Sequence, residues 1–194
     1  MITPRKILLV SACVLSLTSL AAPAAVITFT HAGTGSGTLG GVPFTNQTFT
    51  ITGSGDLAIG AINGGYAVDH DSASIDISGL GIFDFVSKTR TFVSNESSLV
   101  GFARAGYLGA DLFTGPYSDV FASWNMQTDI ATVSGQGTLL QWSLLQVITT
   151  GGILVFNSEI TTTSFSATVV PEPASTVLLC CGASLLLLRR PRRG

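Results

Sequence analysis

Thr48-Phe49-Thr50-Ile51-Thr52 is the stretch whose reading decides the fold. Hydroxyl and apolar side chains alternate with period two. On an extended strand, successive side chains point to opposite faces. The stretch therefore predicts a strand that buries Phe49 and Ile51 and wets its threonines. The same alternation runs through Ile27-Thr28-Phe29-Thr30, Ser74-Ile75-Asp76-Ile77-Ser78 and Ser164-Phe165-Ser166-Ala167-Thr168-Val169. Further strands are predicted over residues 57–62, 82–86, 90–93, 98–105, 121–124, 141–149 and 152–156. The nearest approach to helical spacing in this region is residues 103–112, where Gly106 and Gly109 weaken it.

Glycine separates these runs. Twenty of the 22 glycines lie between residues 25 and 170, in clusters that read as turns rather than as a collagen repeat. The densest is Gly33, Gly35, Gly37, Gly40 and Gly41. Ten or more short strands with glycine turns define an all-β class, an antiparallel β-sandwich of jelly-roll-like type. All eleven phenylalanines fall in this region, most at inward positions, and form its expected core. The first and last strands are candidates for neighbours.

The two ends read differently. Arg5 and Lys6 precede an apolar run over residues 7–20, followed by Ala22-Pro23-Ala24. A positive segment, a short apolar segment and small residues at Ala22 and Ala24 make a secretory signal peptide, with cleavage expected after Ala24. A retained membrane anchor is the alternative. At the other end Pro171-Glu172-Pro173 precedes an uncharged apolar run over residues 174–188, then Arg189-Arg190-Pro191-Arg192-Arg193. Each proline fixes its own φ and disfavours helix in the residue before it. The apolar run is expected to form a single transmembrane helix, and Arg189, Arg190, Arg192 and Arg193 to act as a cytoplasmic stop signal. Fifteen residues at ~1.5 Å each span about 22 Å, short of a hydrocarbon core of roughly 30 Å. Such a segment suits temporary residence in the inner membrane. The expected organisation is residues 1–24 as signal peptide, 25–169 as exported domain and 170–194 as sorting signal.

The tail, read with the N-terminal segment, resembles the PEP-CTERM sorting signal of exosortase substrates. The resemblance rests on Val170-Pro171-Glu172-Pro173, the apolar run and the arginine cluster. It implies a Gram-negative bacterium that makes exopolysaccharide, and two processing partners, signal peptidase and an exosortase-type membrane enzyme. Pro171, Glu172 and Pro173 would be the recognition motif, and residues 174–193 a discarded anchor. A cell-surface or biofilm-matrix location follows from the same resemblance. An ordinary single-span anchor carrying a chance Pro-Glu-Pro is the alternative. The segments around Phe29, Phe44 to Ile51, Gly152 to Phe156 and Phe165 to Val169 are more loosely similar to such exported proteins, and that likeness carries no activity.

Setting the ends aside changes the chemistry of the remainder. Cys13, Cys180 and Cys181 all lie in the terminal segments, so residues 26–170 contain neither a disulfide nor a thiolate ligand. Lys88, Arg90 and Arg104 stand there against ten acidic residues, so the region carries 3 − 10 = −7. That charge excludes nucleic acid as a partner, since nothing neutralises phosphates.

Few motifs carry chemistry. Gly35-Ser36-Gly37-Thr38-Leu39-Gly40 matches a dinucleotide-binding string, but a strand rather than a helix follows, so it reads as a hairpin turn. Asp69-His70-Asp71 is the one dense polar cluster. It reads as a solvated loop, with a weak calcium site as the alternative; Ala73 occupies a position where a calcium loop needs oxygen. His31 is the only other histidine, too few for a zinc site, and no context supports a Ser-His-Asp triad. The expectation is a non-enzymatic protein without metal or cofactor. The rival is a polysaccharide-binding module using Trp124 or Trp142, with Tyr66, Tyr107 and Tyr117 as further aromatics. Core burial of both tryptophans is the competing reading. A secreted hydrolase is the third possibility.

Overall fold

The computed structural model describes residues 25–106, 111–140 and 146–170. The signal-peptide segment, the Pro-Glu-Pro motif, the apolar tail and its arginines, Tyr107 and Trp142 lie outside the described residues. Among the described residues no helix is long and apolar enough to cross a membrane. The strands are β1 (Val26–Leu39), β2 (Val42–Asp56), β3 (Gly60–Ile62), β4 (Gly65–Asp69), β5 (Ser72–Ile77), β6 (Gly81–Asp84) and β7 (Thr89–Ser94). They continue with β8 (Leu99–Arg104), β9 (Asp111–Tyr117), β10 (Ile130–Leu139), β11 (Val147–Thr149), β12 (Gly152–Phe156) and β13 (Glu159–Val170). The fold is all-β and every pairing is antiparallel.

One sheet runs β3-β4-β7-β8-β9-β10-β13-β1-β2-β5-β6. It curls on itself in a sandwich-like arrangement, so that β7 comes to face β1 across the interior, where Thr91 meets His31. β10 makes the bend: it pairs with β13 over most of its length but meets β9 only at Thr138↔Thr114 and Leu139↔Phe113. The first and last strands are neighbours, with Val26 opposite Val170 and Gly33 opposite Thr163.

The alternation in Thr48–Thr52 is realised as expected. Phe49 and Ile51 are buried, and their partners on β5, Ile77 and Ile75, are buried opposite them. Eight of the eleven phenylalanines are buried. They divide between two apolar clusters. One gathers Phe44, Phe49, Phe102, Phe113 and Phe156; the other gathers Phe29, Phe121 and Phe165, together with Trp124.

The glycine cluster corrects the sequence reading. Only Gly40 and Gly41 form the turn, both at positive φ (57° and 84°), as a two-residue hairpin requires. Gly33, Gly35 and Gly37 lie inside β1, at the inward positions of its alternation. Their missing side chains leave space that neighbours occupy: the Phe49 ring tip lies 3.0 Å from where a Gly33 Cβ would stand, and Leu139 and the Val155 carbonyl crowd the other two. On one edge β1 changes partner, from β13 up to Gly33 to β12 from Gly37 onward; on the other edge its register with β2 shifts between Gly35 and Gly37.

Other segments also depart from expectation. Residues 121–124, expected as a strand, contain the end of a single 3-10 turn, Asp119–Ala122. The Ser118 hydroxyl accepts from the Val120 N–H there, local bonding that competes with a ladder. β9 and β10 lie outside the strands expected from the sequence, where Gly115-Pro116 and Gly135-Gln136-Gly137 interrupt the alternation. In the fold Gly115 lies directly against Gly137, a backbone approach that side chains would prevent. The described part of residues 103–112 holds strand ends and a turn, with no helix.

Candidate functional site: a buried histidine pair and the trough beside it

The most unusual chemistry lies between the two apolar clusters. The alternation of β1 that buries Ile27 and Phe29 carries on to bury His31 completely. On β7, Thr89, Thr91 and Val93 face inward. His70, immediately after β4, continues the inward parity of Val68 and is only 4% exposed. These side chains form a chain of contacts. His31 Nε2 lies 3.0 Å from Thr91 Oγ1, Thr91 Oγ1 lies 3.0 Å from His70 Nε2, and His70 Nδ1 lies 2.9 Å from Thr89 Oγ1.

Aromatic rings complete the enclosure. His31 contacts Phe102 and Phe113 from one cluster and Phe165 from the other, with centroids 4.8–5.9 Å apart. His70 stacks on Phe102 at 5.4 Å and 26°, and tilts against Phe29.

Burial pushes both imidazoles far down, His31 to about 3, reinforced by the nearby His70, and His70 to about 4, with Asp71 opposing the shift. Both rings are therefore neutral at physiological pH, each with one donor nitrogen and one acceptor. The Thr91 hydroxyl has one proton, so it donates to one ring and accepts from the other. His31 Nδ1 has no partner. A buried N–H without a partner is rarer in folded proteins than an under-satisfied acceptor, so Nδ1 is the unprotonated nitrogen. The sequence of donors is then His31 Nε2–H to Thr91, Thr91 O–H to His70 Nε2, and His70 Nδ1–H to Thr89.

The expectation of a solvated loop at Asp69-His70-Asp71 holds for the two acids and fails for the histidine. Asp69 and Asp71 are exposed. Asp69 Oδ1 lies 3.2 Å from Arg90 Nε, and Asp71 Oδ2 accepts from the Asp56 N–H at 3.1 Å. His70 points the other way because the strand parity of β4 persists through it. Its backbone N–H donates to Thr89 O, while Asp71 N–H donates to Ser54 O. At this dipeptide the chain leaves the β4–β7 ladder and joins the β2–β5 ladder.

A second crossing runs beside it. Residues 85–88 pass from β6 to β7, held by Phe85 N–H to Ala73 O and by Val86 N–H to Ile148 O. The gap around the two crossings is a surface trough. One end, about 400 Å³, is bounded by Thr52, Ser54, Ser74 and Asp84; the other, about 280 Å³, by His70, Ser87, Lys88 and Thr89. Asp71, Ser72, Ala73 and Phe85 belong to both ends. Both ring nitrogens of His70 are engaged inward, so a ligand in the trough would meet hydroxyls and carboxylates, not a free imidazole.

Trp124 is only 6% exposed. Its ring packs against Phe121 and Phe165, and its indole N–H donates to Thr128 O at 3.0 Å. That leaves no open face on which to stack a sugar. Tyr66 is half-buried against the same cluster, and Tyr117 is exposed. Among the described residues no three His, Cys, Asp or Glu side chains converge as a metal centre would require. Sequence reasoning missed Thr89 and Thr91. A parity signal existed in Val93, but Phe92 at the opposite parity argues for the reverse orientation, and only the packing of the Phe92 ring over Gly101 resolves it.

Comparison with protein families, with curated proteins and with solved structures finds no match to this chain.

Proposed function

We propose that this is an exported, non-enzymatic protein of the cell surface or exopolysaccharide matrix, sorted and processed through its C-terminal PEP-CTERM-like tail. The observation that carries the reading is the order of the tail itself: Pro171-Glu172-Pro173, a short apolar run, then Arg189, Arg190, Arg192 and Arg193. The position of the motif supports it. β13 ends at Val170, the residue before Pro171, and its last partner is Val26 at the start of β1. Processing beyond Val170 therefore leaves every described pairing of β13 in place. The −7 charge of the intervening region and its hydroxyl-covered strands suit a soluble product among hydrated polymers. The curled sheet, with its adjacent first and last strands, is read as a jelly-roll-like sandwich.

Deleting residues 171–194 tests the sorting. The truncated protein is expected to fold and to accumulate in a different cell fraction from the full chain. Mass spectrometry of the mature product is expected to find residues 174–194 absent. Identical fractionation of the two forms would refute sorting by the tail, and retention of residues 174–194 at steady state would refute its processing.

A further inference from the structure

We infer that the trough between the two chain crossings binds a neutral polysaccharide, engaging one or two of its sugar units. The inference does not depend on the tail. It stands on the shape, chemistry and charge of the trough.

The shape follows from topology. Where residues 70–71 and 85–88 pass between ladders, no strand fills the space, and the volume left is that of a small-ligand site, roughly 300–1,000 Å³. The bonds that set its walls are backbone bonds: Phe85 N–H to Ala73 O at 2.9 Å and Asp71 N–H to Ser54 O at 2.8 Å. The site is therefore preformed, which lowers the ordering cost of binding.

The chemistry is that of a pyranose partner. Thr52, Ser74 and Asp84 stand side by side on β2, β5 and β6, paired in register as Thr52↔Ser74 and Ser74↔Asp84. Carboxylates accept strongly from hydroxyl groups, and Ser and Thr can donate or accept. Such a row offers both roles to the hydroxyls of a sugar ring. Phe85 on the wall and Val86, 65% exposed, supply apolar surface for its C–H faces. An amphipathic ring needs both kinds of surface.

Charge selects among glycans. Asp71 and Asp84 line the trough against the single cation Lys88, within a region of net charge −7. An anionic polymer such as a uronate is repelled, and a neutral one is not.

The test is affinity electrophoresis of the full-length chain in native gels. The gels are cast with hydroxyethylcellulose, galactomannan or dextran, with alginate as the anionic comparison, in a polyoxyethylene detergent that carries no sugar. Retardation is expected in at least one neutral gel, unaffected by EDTA, and absent in alginate. Asp84→Ala and the double variant Thr52→Ala/Ser74→Ala are expected to weaken retardation at least five-fold with unchanged circular dichroism. Ser134→Ala, on the same sheet but outside the trough, is expected to change nothing. A free monosaccharide of the retarding polymer is expected to compete, since the trough holds one or two units. Four results would overturn the inference: no retardation in any neutral gel, retardation in alginate as strong as in the neutral gels, loss with EDTA (a cation site), or both trough variants binding like the parent.

Discussion

Gly53 lies beneath the imidazole of His70, so close that a Cβ at residue 53 would stand 2.7 Å from both Cε1 and Nε2 of the ring. His70 cannot withdraw without breaking its contacts to Thr89 and Thr91. Gly53→Ala should therefore act as an overpacking substitution with an added polar loss, costing about 2 kcal/mol or more. Urea denaturation would show it as a lower midpoint. Gly79→Ala, where a Cβ meets nothing within 4 Å, separates the two effects: its cost would be backbone strain alone, since φ is +81°.

Thr91 is the hinge of the polar seam. Thr91→Val keeps the shape and strands a nitrogen on each histidine, an expected loss of about 1–3 kcal/mol for each group left unsatisfied. Removing the His31 nitrogen as well, in His31→Leu/Thr91→Val, should recover part of that loss. A double-mutant cycle by chemical denaturation measures the recovery, and strict additivity of the two single changes would contradict the shared hydroxyl.

Acid should weaken the fold before the carboxylates titrate. Both histidines have folded pKa values, about 3 and about 4, below the unfolded value of 6.5. The unfolded state thus binds more protons in that interval, and stability rises with pH across it. Above about 6.5 the contribution is fully present; below it, stability should fall by roughly 1.4 kcal/mol per pH unit for each histidine. Asp111 acts in the opposite sense, because burial raises its carboxyl and its contribution weakens as pH rises through the carboxylate range. Urea midpoints recorded from pH 7.5 downward should show the slope, and His31→Leu should halve it.

Trp124 separates core from binding surface. Trp124→Ala should cost about 3–5 kcal/mol as a core truncation. Trp124→Phe should cost less, about 1–2 kcal/mol, from the lost Thr128 hydrogen bond and the small void left by the narrower ring. Thermal unfolding checks both. If Trp124→Phe left stability untouched and instead abolished retention on a polysaccharide, its placement in the core would be contradicted.

Much of this fold is legible in the chain. The alternation at Thr48–Thr52, at Ile27–Thr30 and at Ser164–Val169 reports extended backbone with one buried face, because side-chain direction on a strand is a local property. The Gly40-Gly41 turn is legible for a similar reason, since positive φ at two adjacent residues favours glycine. The parity that buries His31 also runs on from Ile27 and Phe29, and could be followed by counting.

Other features depend on partners distant in sequence. Gly33, Gly35 and Gly37 look like loop residues until Phe49, Leu139 and Val155 occupy the space they leave. β9 and β10 form because their glycines permit close backbone approach, which no local propensity encodes. The trough exists only because two chain crossings run side by side. The meeting of His31, His70 and Thr91 on one hydroxyl joins residues 21 and 60 positions apart. Local sterics and hydrophobic period determined which residues extend and which faces turn inward. Which strand lies beside which, and what therefore meets in the interior, was decided by long-range packing, where side-chain volume and hydrogen-bond satisfaction select one arrangement among many that share the same alternation.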